Sequence, residues 1–133
     1  LALEMHASRL AFNNCQAINI NVLRSFVTDM QKAFEQEDPE ALVENNHAFY
    51  KYFYSLAKQP KLFSLIMTYI DKSKRFRQQH FYDQVLAKRT IDLHRELVDI
   101  LEAKDEKGFL EHMQQGLQTV ATELIESLKQ ELS

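Results

Sequence analysis

Glycine and proline are nearly missing from this chain: its 133 residues hold two of each. So few breakers leave little room for the tight turns of sheets and barrels, and long helices have to fill the length. An all-α fold is expected. Tryptophan is absent and cysteine occurs once, at Cys15. One cysteine excludes an internal disulfide and suits a reducing compartment. No apolar run approaches the roughly 20 residues needed to span a bilayer, and the N-terminus lacks a basic segment followed by a hydrophobic one. The chain reads as soluble and cytoplasmic, with no membrane partner. Positive charge is short as well: 16 Lys and Arg against 19 Asp and Glu give a formal charge of −3. Nucleic-acid binding rests on clustered cations that neutralise phosphates, so the chain by itself is a poor DNA binder. The local exception, Lys72, Lys74, Arg75 and Arg77, reads as a solvated or ion-paired helix end rather than a phosphate patch. The length is that of one domain over residues 1–133, large enough to bury a core without staples.

What is present is helical periodicity. The spacing of Leu3, Ala7 and Leu10 predicts a chain that begins inside or just before a helix, as removal of an N-terminal segment would leave it. After a break at Asn13 and Asn14, a second helix is expected over residues 18–36, with Leu23, Phe26, Val27, Met30 and Phe34 inward. Asp38 and Pro39 start a third, because a carboxylate can cap free N–H groups and proline fits the first turn. Its stripe is Leu42, Phe49, Phe53 and Leu56, with Asn46 in the middle and Tyr50 one turn on. Gln59 and Pro60 stop that helix. A fourth runs from Pro60 through Arg77, carrying Leu62, Leu65, Ile66, Tyr69 and Ile70 before turning basic. Residues 80–82 form the next boundary. A fifth helix then reaches about residue 103, with Thr90, Leu93, Leu97 and Leu101 inward and His94 lodged among them. Asp105 caps a last helix to residue 132, striped by Phe109, Met113, Leu117, Val120, Leu124 and Leu128. Gly116 interrupts that stripe at a cost of roughly 1 kcal/mol relative to alanine, which points to close packing or to space left for a ligand. Six helices in an antiparallel bundle are expected.

Enzymatic signatures are missing: there is no glycine-rich phosphate loop, GxSxG elbow, HExxH or cysteine pair. Of His6, His47, His80, His94 and His112, only His94 sits clearly on an inward stripe; His112 flanks the last one. A lone histidine on an apolar face is more often a hydrogen-bonded core residue than a metal ligand. Asn46, Tyr50 and His94, however, lie on inward stripes of different helices and can converge. A buried amide left unpaired costs on the order of 1–3 kcal/mol, so Asn46 is either a structural hydrogen-bonder or one wall of a polar pocket.

At these residues the chain resembles a family. The ordered segments LALEMHASRLAF, ENNHAFYKYFYSLAKQPKL, LHRELVDILEAKD and GFLEHMQQGL are similar to the FadR-type C-terminal (FCD) domain of GntR-family bacterial transcription regulators. The resemblance covers nearly the whole chain. It implies an effector-binding, homodimerising bundle joined to an N-terminal winged helix-turn-helix that binds operator DNA, a segment not present in these residues. Many members hold a metal through an Asp or Asn, a histidine four residues later, and one histidine on each of two later helices. By position these fall at Asn46, Tyr50, His94 and Gly116. Both losses are histidines, and a phenol with a pKa near 10 is a poor ligand at neutral pH, so no metal cofactor is expected unless His112 rescues the site.

The expected site is therefore an effector pocket of Asn46, Tyr50, His94 and Gly116, with Arg77 adding charge if its helix end turns inward. The expected ligand is an organic acid or an acyl-type metabolite. No catalysis is expected. The competing readings are a helical-bundle metalloprotein or enzyme using His94 with His112 or Asn46, and a dimerisation module with a filled core.

Overall fold

The helix pattern that scarce glycine imposes is followed in the structure, a computed structural model that describes residues 2–132. The elements are α1 (Ala2–Asn14), α2 (Ala17–Glu35), α3 (Pro39–Ser55), α4 (Pro60–Lys72), α5 (Lys74–Phe81), α6 (Gln84–Glu102) and α7 (Glu106–Leu132). No strand occurs among the described residues. The turns after α2, α3 and α6 still need a left-handed residue, and Glu37, Lys58 and Lys104 take it at φ 52°, 57° and 56°. Non-glycine residues tolerate that region at a small cost.

Carboxylates cap three of the helices, Asp38 and Asp105 as the sequence predicts and Asp83 at a boundary where no cap was expected. Asp38 accepts from the Ala41 N–H, Asp83 from those of Val85 and Leu86, and Asp105 from that of Gly108. Each satisfies backbone donors that the first helical turn leaves free. α3 lies at the centre, packed on α1, α2, α4 and α5, while α6 packs on α2, α5 and α7. Phe49 and Phe53 of α3 are fully buried, and the Phe53 ring lies 5.8 Å from that of Phe109 on α7. The aromatic stripe on α3 thus ties the two ends of the sequence together.

Three expectations need correcting. The expected fourth helix is two, broken at Ser73, so the described residues form seven helices rather than six. The Ser73 hydroxyl donates to the Ile70 carbonyl at 3.0 Å, a local bond that competes with continuation of the helix. Leu65 faces outward at 59% exposure, and Tyr69 and Leu93 are half-exposed beside the cavity described below; α4 buries Ile66, Met67 and Ile70 instead, and α6 buries Ile91, His94 and Val98. Leu128 is also exposed. α7 has 27 residues against 19 in α6, so at 1.5 Å per residue it outruns its neighbour by roughly 12 Å.

Truncating Phe53 to alanine should cost about 3–5 kcal/mol in urea unfolding, because its neighbours cannot all close on the void. Leu65→Ser should change stability by less than about 0.5 kcal/mol. Similar losses from both would show that the core is not centred on α3.

Candidate functional site

Side chains from α1, α3, α4, α5, α6 and α7, the carboxylates of Glu4 and Glu123 among them, line a cavity of about 230 Å³ in the bundle. Helical spacing places Tyr50 and Tyr54 one turn apart on α3, and both border the cavity with rings stacked 6.1 Å apart. Burial raises both phenol pKa values, and the Tyr54 hydroxyl is hydrogen-bonded to Ser8. Tyr50 has no hydrogen-bond partner among the described residues. Its ring meets His94 edge-on at 5.2 Å, and the neighbouring Phe49 ring meets the imidazole in the same way at 4.7 Å.

His94 is 4% exposed, and its Nδ1 lies 2.7 Å from the Thr90 carbonyl oxygen. A carbonyl can only accept, so Nδ1 carries the proton and Nε2 keeps its lone pair. That Nε2 is buried without a partner. Desolvation lowers the His94 pKa to about 4; the Thr90 bond opposes the shift, and the charges of Arg77 and His112 add to it. At neutral pH His94 is an acceptor, not a cation.

The break at Ser73 places Arg77 on the cavity wall. Its Nε donates to the Ser73 hydroxyl at 3.2 Å, and its guanidinium carbon lies 5.7 Å from the centre of the Tyr50 ring. No carboxylate pairs with Arg77 among the described residues. Its charge acts on Tyr50, Tyr54 and His94 alike. Three residues later, His80 Nε2 lies 3.1 Å from the Thr90 hydroxyl, which itself donates to the Leu86 carbonyl at 3.0 Å. Nε2–H is therefore the donor, and His80 ties α5 to α6. On its other side Nδ1 is 3.8 Å from Glu123 of α7.

Tyr50, Arg77, His94 and Gly116 thus border one cavity, and Asn46 does not. Asn46 is buried elsewhere in the bundle with its Oδ1 unpartnered. Close packing does not account for Gly116, since a Cβ added there would meet nothing within 4 Å. Sequence reasoning passed over Tyr54, His80 and Arg89, which also line the cavity. Tyr54 was findable at four residues from Tyr50, and His80 at three from Arg77, once the break at Ser73 was known.

The FCD domain family matches residues 1–119. The chain is an FCD domain. FCD domains are the effector-binding part of GntR-family transcription regulators. The fold is similar to that of the solved E. coli McbR/YncC, with a TM-score of 0.81 and 21% identity over 94% of this chain and 64% of that one. This FCD domain thus spans under two thirds of that protein's length, and at that identity the likeness concerns the fold alone. No curated protein matches the chain. Among the described residues no helix is long and apolar enough to cross a membrane.

The metal that many FCD domains hold does not fit these residues. The four positions offer an amide, a phenol whose pKa burial raises further, one imidazole nitrogen and no side chain at all. His112 borders the cavity with a buried Nε2, but that atom lies 3.6 Å from the Glu96 carboxylate. No three His, Cys, Asp or Glu among the described residues gather closely enough to hold an ion.

Two measurements check this geometry. The unfolded chain takes up a proton at His94 near pH 6.5, and the folded chain resists it until about pH 4. Stability from this group is complete above pH 6.5 and is lost as pH falls through that window, by about 2–3 kcal/mol at pH 4.5. In His94→Phe the fall should be smaller by that amount in urea unfolding; equal falls would place the imidazole in water. Gly116→Ala should raise stability by about 1 kcal/mol, since helix propensity improves and nothing obstructs the methyl group. A loss would mean that α7 is closely packed there.

Proposed function

We propose that this FCD domain is the metal-free, non-catalytic sensor half of a cytoplasmic GntR-family regulator. It binds a small organic acid in the cavity, dimerises, and thereby adjusts operator binding by a winged helix-turn-helix domain N-terminal to it. The observation that carries this reading is Arg77: a partly buried guanidinium without a carboxylate partner, facing an apolar-lined cavity in the domain that the family uses for effectors. A cation in such a place attracts an anion strongly, because the surrounding dielectric is low and guanidinium and carboxylate match in shape.

Size favours a free acid over a bulky thioester. An engineered cavity of about 150 Å³ takes up benzene, so about 230 Å³ accommodates a ligand of about ten non-hydrogen atoms. A sensor of this kind can act only through different affinities for two arrangements of the bundle. The donor set argues against a tightly held transition metal at neutral pH.

Thermal-shift screening against C3–C10 carboxylates, followed by calorimetry of the hits, tests the proposal. Arg77→Gln should weaken binding of each hit by about tenfold or more while leaving the helical content unchanged. Metal analysis of protein purified without chelator should find less than about one ion per ten chains, given so poor a donor set. Retention of full affinity in Arg77→Gln would remove the basis for an acid effector.

A further inference from the structure

The cavity has an open side, and the exposure of its lining residues shows where. Arg89 and Leu93 on α6 and Gln115, Gly116 and Thr119 on α7 line it and are exposed, whereas His94 and Leu97, a step around α6, are buried. α6 and α7 are joined by a short turn and run antiparallel, with Glu96 opposite His112 at 3.6 Å. Moving along the hairpin from that pair brings Leu93 level with Gln115 and Gly116, and Arg89 level with Thr119. These exposed residues therefore face one another across a single seam.

Both ends of the seam are held. The His112 approach to Glu96 holds one. At the other, His80 bridges the two helices, with Nε2 3.1 Å from the Thr90 hydroxyl on α6 and Nδ1 3.8 Å from Glu123 on α7. The middle is open: level with Leu93 stands a glycine, and a Cβ added there would meet no atom within 4 Å. Closely packed helices interlock side chains in each other's grooves. Here one row has a gap where the other carries a leucine that is 38% exposed.

We infer that this seam is the entrance to the cavity: a ligand enters and leaves between α6 and α7, past Leu93 and over Gly116, while the two histidine contacts keep the ends of the slot together. Leu93 is the moving part, since an exposed side chain changes rotamer far more readily than two packed helices part. Gly116 thus does more than leave room inside, because as the sill of the slot it keeps the passage clear. The inference rests on the effector reading only in that a sensor's ligand has to exchange, and its test needs no ligand.

Labelling of a buried thiol supplies that test. Leu97 lines the cavity at 3% exposure, so in a chain carrying Cys15→Ser and Leu97→Cys the single thiol lies on the inner wall. Its reaction with the neutral reagent methyl methanethiosulfonate is timed by mass spectrometry at pH 8 without denaturant, and urea unfolding of each variant is measured alongside. Leu93→Ala should speed labelling by about tenfold and Gly116→Phe should slow it by about tenfold, while Tyr69→Ala, at the exposed lining position on α4, leaves it unchanged. Rates that follow global stability, or that respond to neither Leu93 nor Gly116, overturn the inference. Acceleration by Tyr69→Ala does the same by moving the entrance to α4. In each case the effector reading stands, since it falls only if the screen of acids is silent. Should Leu97→Cys fail to fold, Met113→Cys on α7 carries the thiol; should Gly116→Phe fail to fold, Leu93→Ala against Tyr69→Ala decides.

Discussion

The hydrogen bond from His94 Nδ1 to the Thr90 carbonyl sets the character of the bundle centre. It closes one helical turn on itself, so no partner from another element is needed to hold the imidazole. By placing the single proton of a neutral ring on Nδ1, it leaves Nε2 as a fixed acceptor on the inner wall. Burial then keeps the ring neutral, against the pull of the same hydrogen bond. The two effects have different ranges: the bond fixes orientation, and desolvation fixes charge. The Phe49 and Tyr50 rings both meet the imidazole at steep angles, packing it against α3.

The second determinant is the break at Ser73. A continuous helix from Pro60 would keep one axis through the basic stretch and leave Arg77 among its solvated neighbours. The Ser73 hydroxyl instead bonds back to Ile70 and receives the Arg77 Nε–H, so one side chain ends α4 and also holds the guanidinium in place. Three residues on, His80 fastens α5 to the Thr90 hydroxyl, on the same residue whose carbonyl orients His94. Thr90 thus couples the placement of the cation to the placement of the acceptor. Changes at either end reach the other through two short hydrogen bonds rather than through the whole core.

Much of the fold was legible because it depends on local chemistry that sequence displays directly. Asp38 and Asp105 act through backbone N–H groups three residues on, and the α3 stripe follows from period alone. The charge and aromatic content of the site were legible for a similar reason, since Tyr50 and His94 sit on strong stripes. What escaped depends on competition. Whether Ser73 ends a helix turns on a side-chain hydrogen bond against a backbone one, which composition does not reveal. The outward turn of Leu65 reflects which of two adjacent apolar rows on α4 met the core, and both rows have helical period. Asn46 shows the limit most clearly. Its position on an apolar stripe correctly implied burial, but burial does not say which cavity, if any, a side chain borders.

The cavity walls also bear on how occupancy could be felt elsewhere. α3, at the centre, is held by its aromatic stripe against α7 and by caps at its start, and it has little freedom to move. α5 is short, with eight residues, and is joined to the bundle mainly through Phe81, Ser73 and the His80 contacts. α7 is long, packs on α1 and α6, and faces the cavity at Gly116 with open space beside it. A ligand that fills this space and engages Arg77 therefore touches the shortest helix and the longest one, beside the buried rings of α3. Differential binding between two arrangements has to be expressed where the walls can differ. In this bundle that is the α5–α7 side, where His80 Nδ1 and the Glu123 carboxylate stand 3.8 Å apart. α7 in turn packs on α1, with the Phe12 and Phe109 rings 5.1 Å apart, so the longest wall of the cavity is joined directly to the first helix of the described residues.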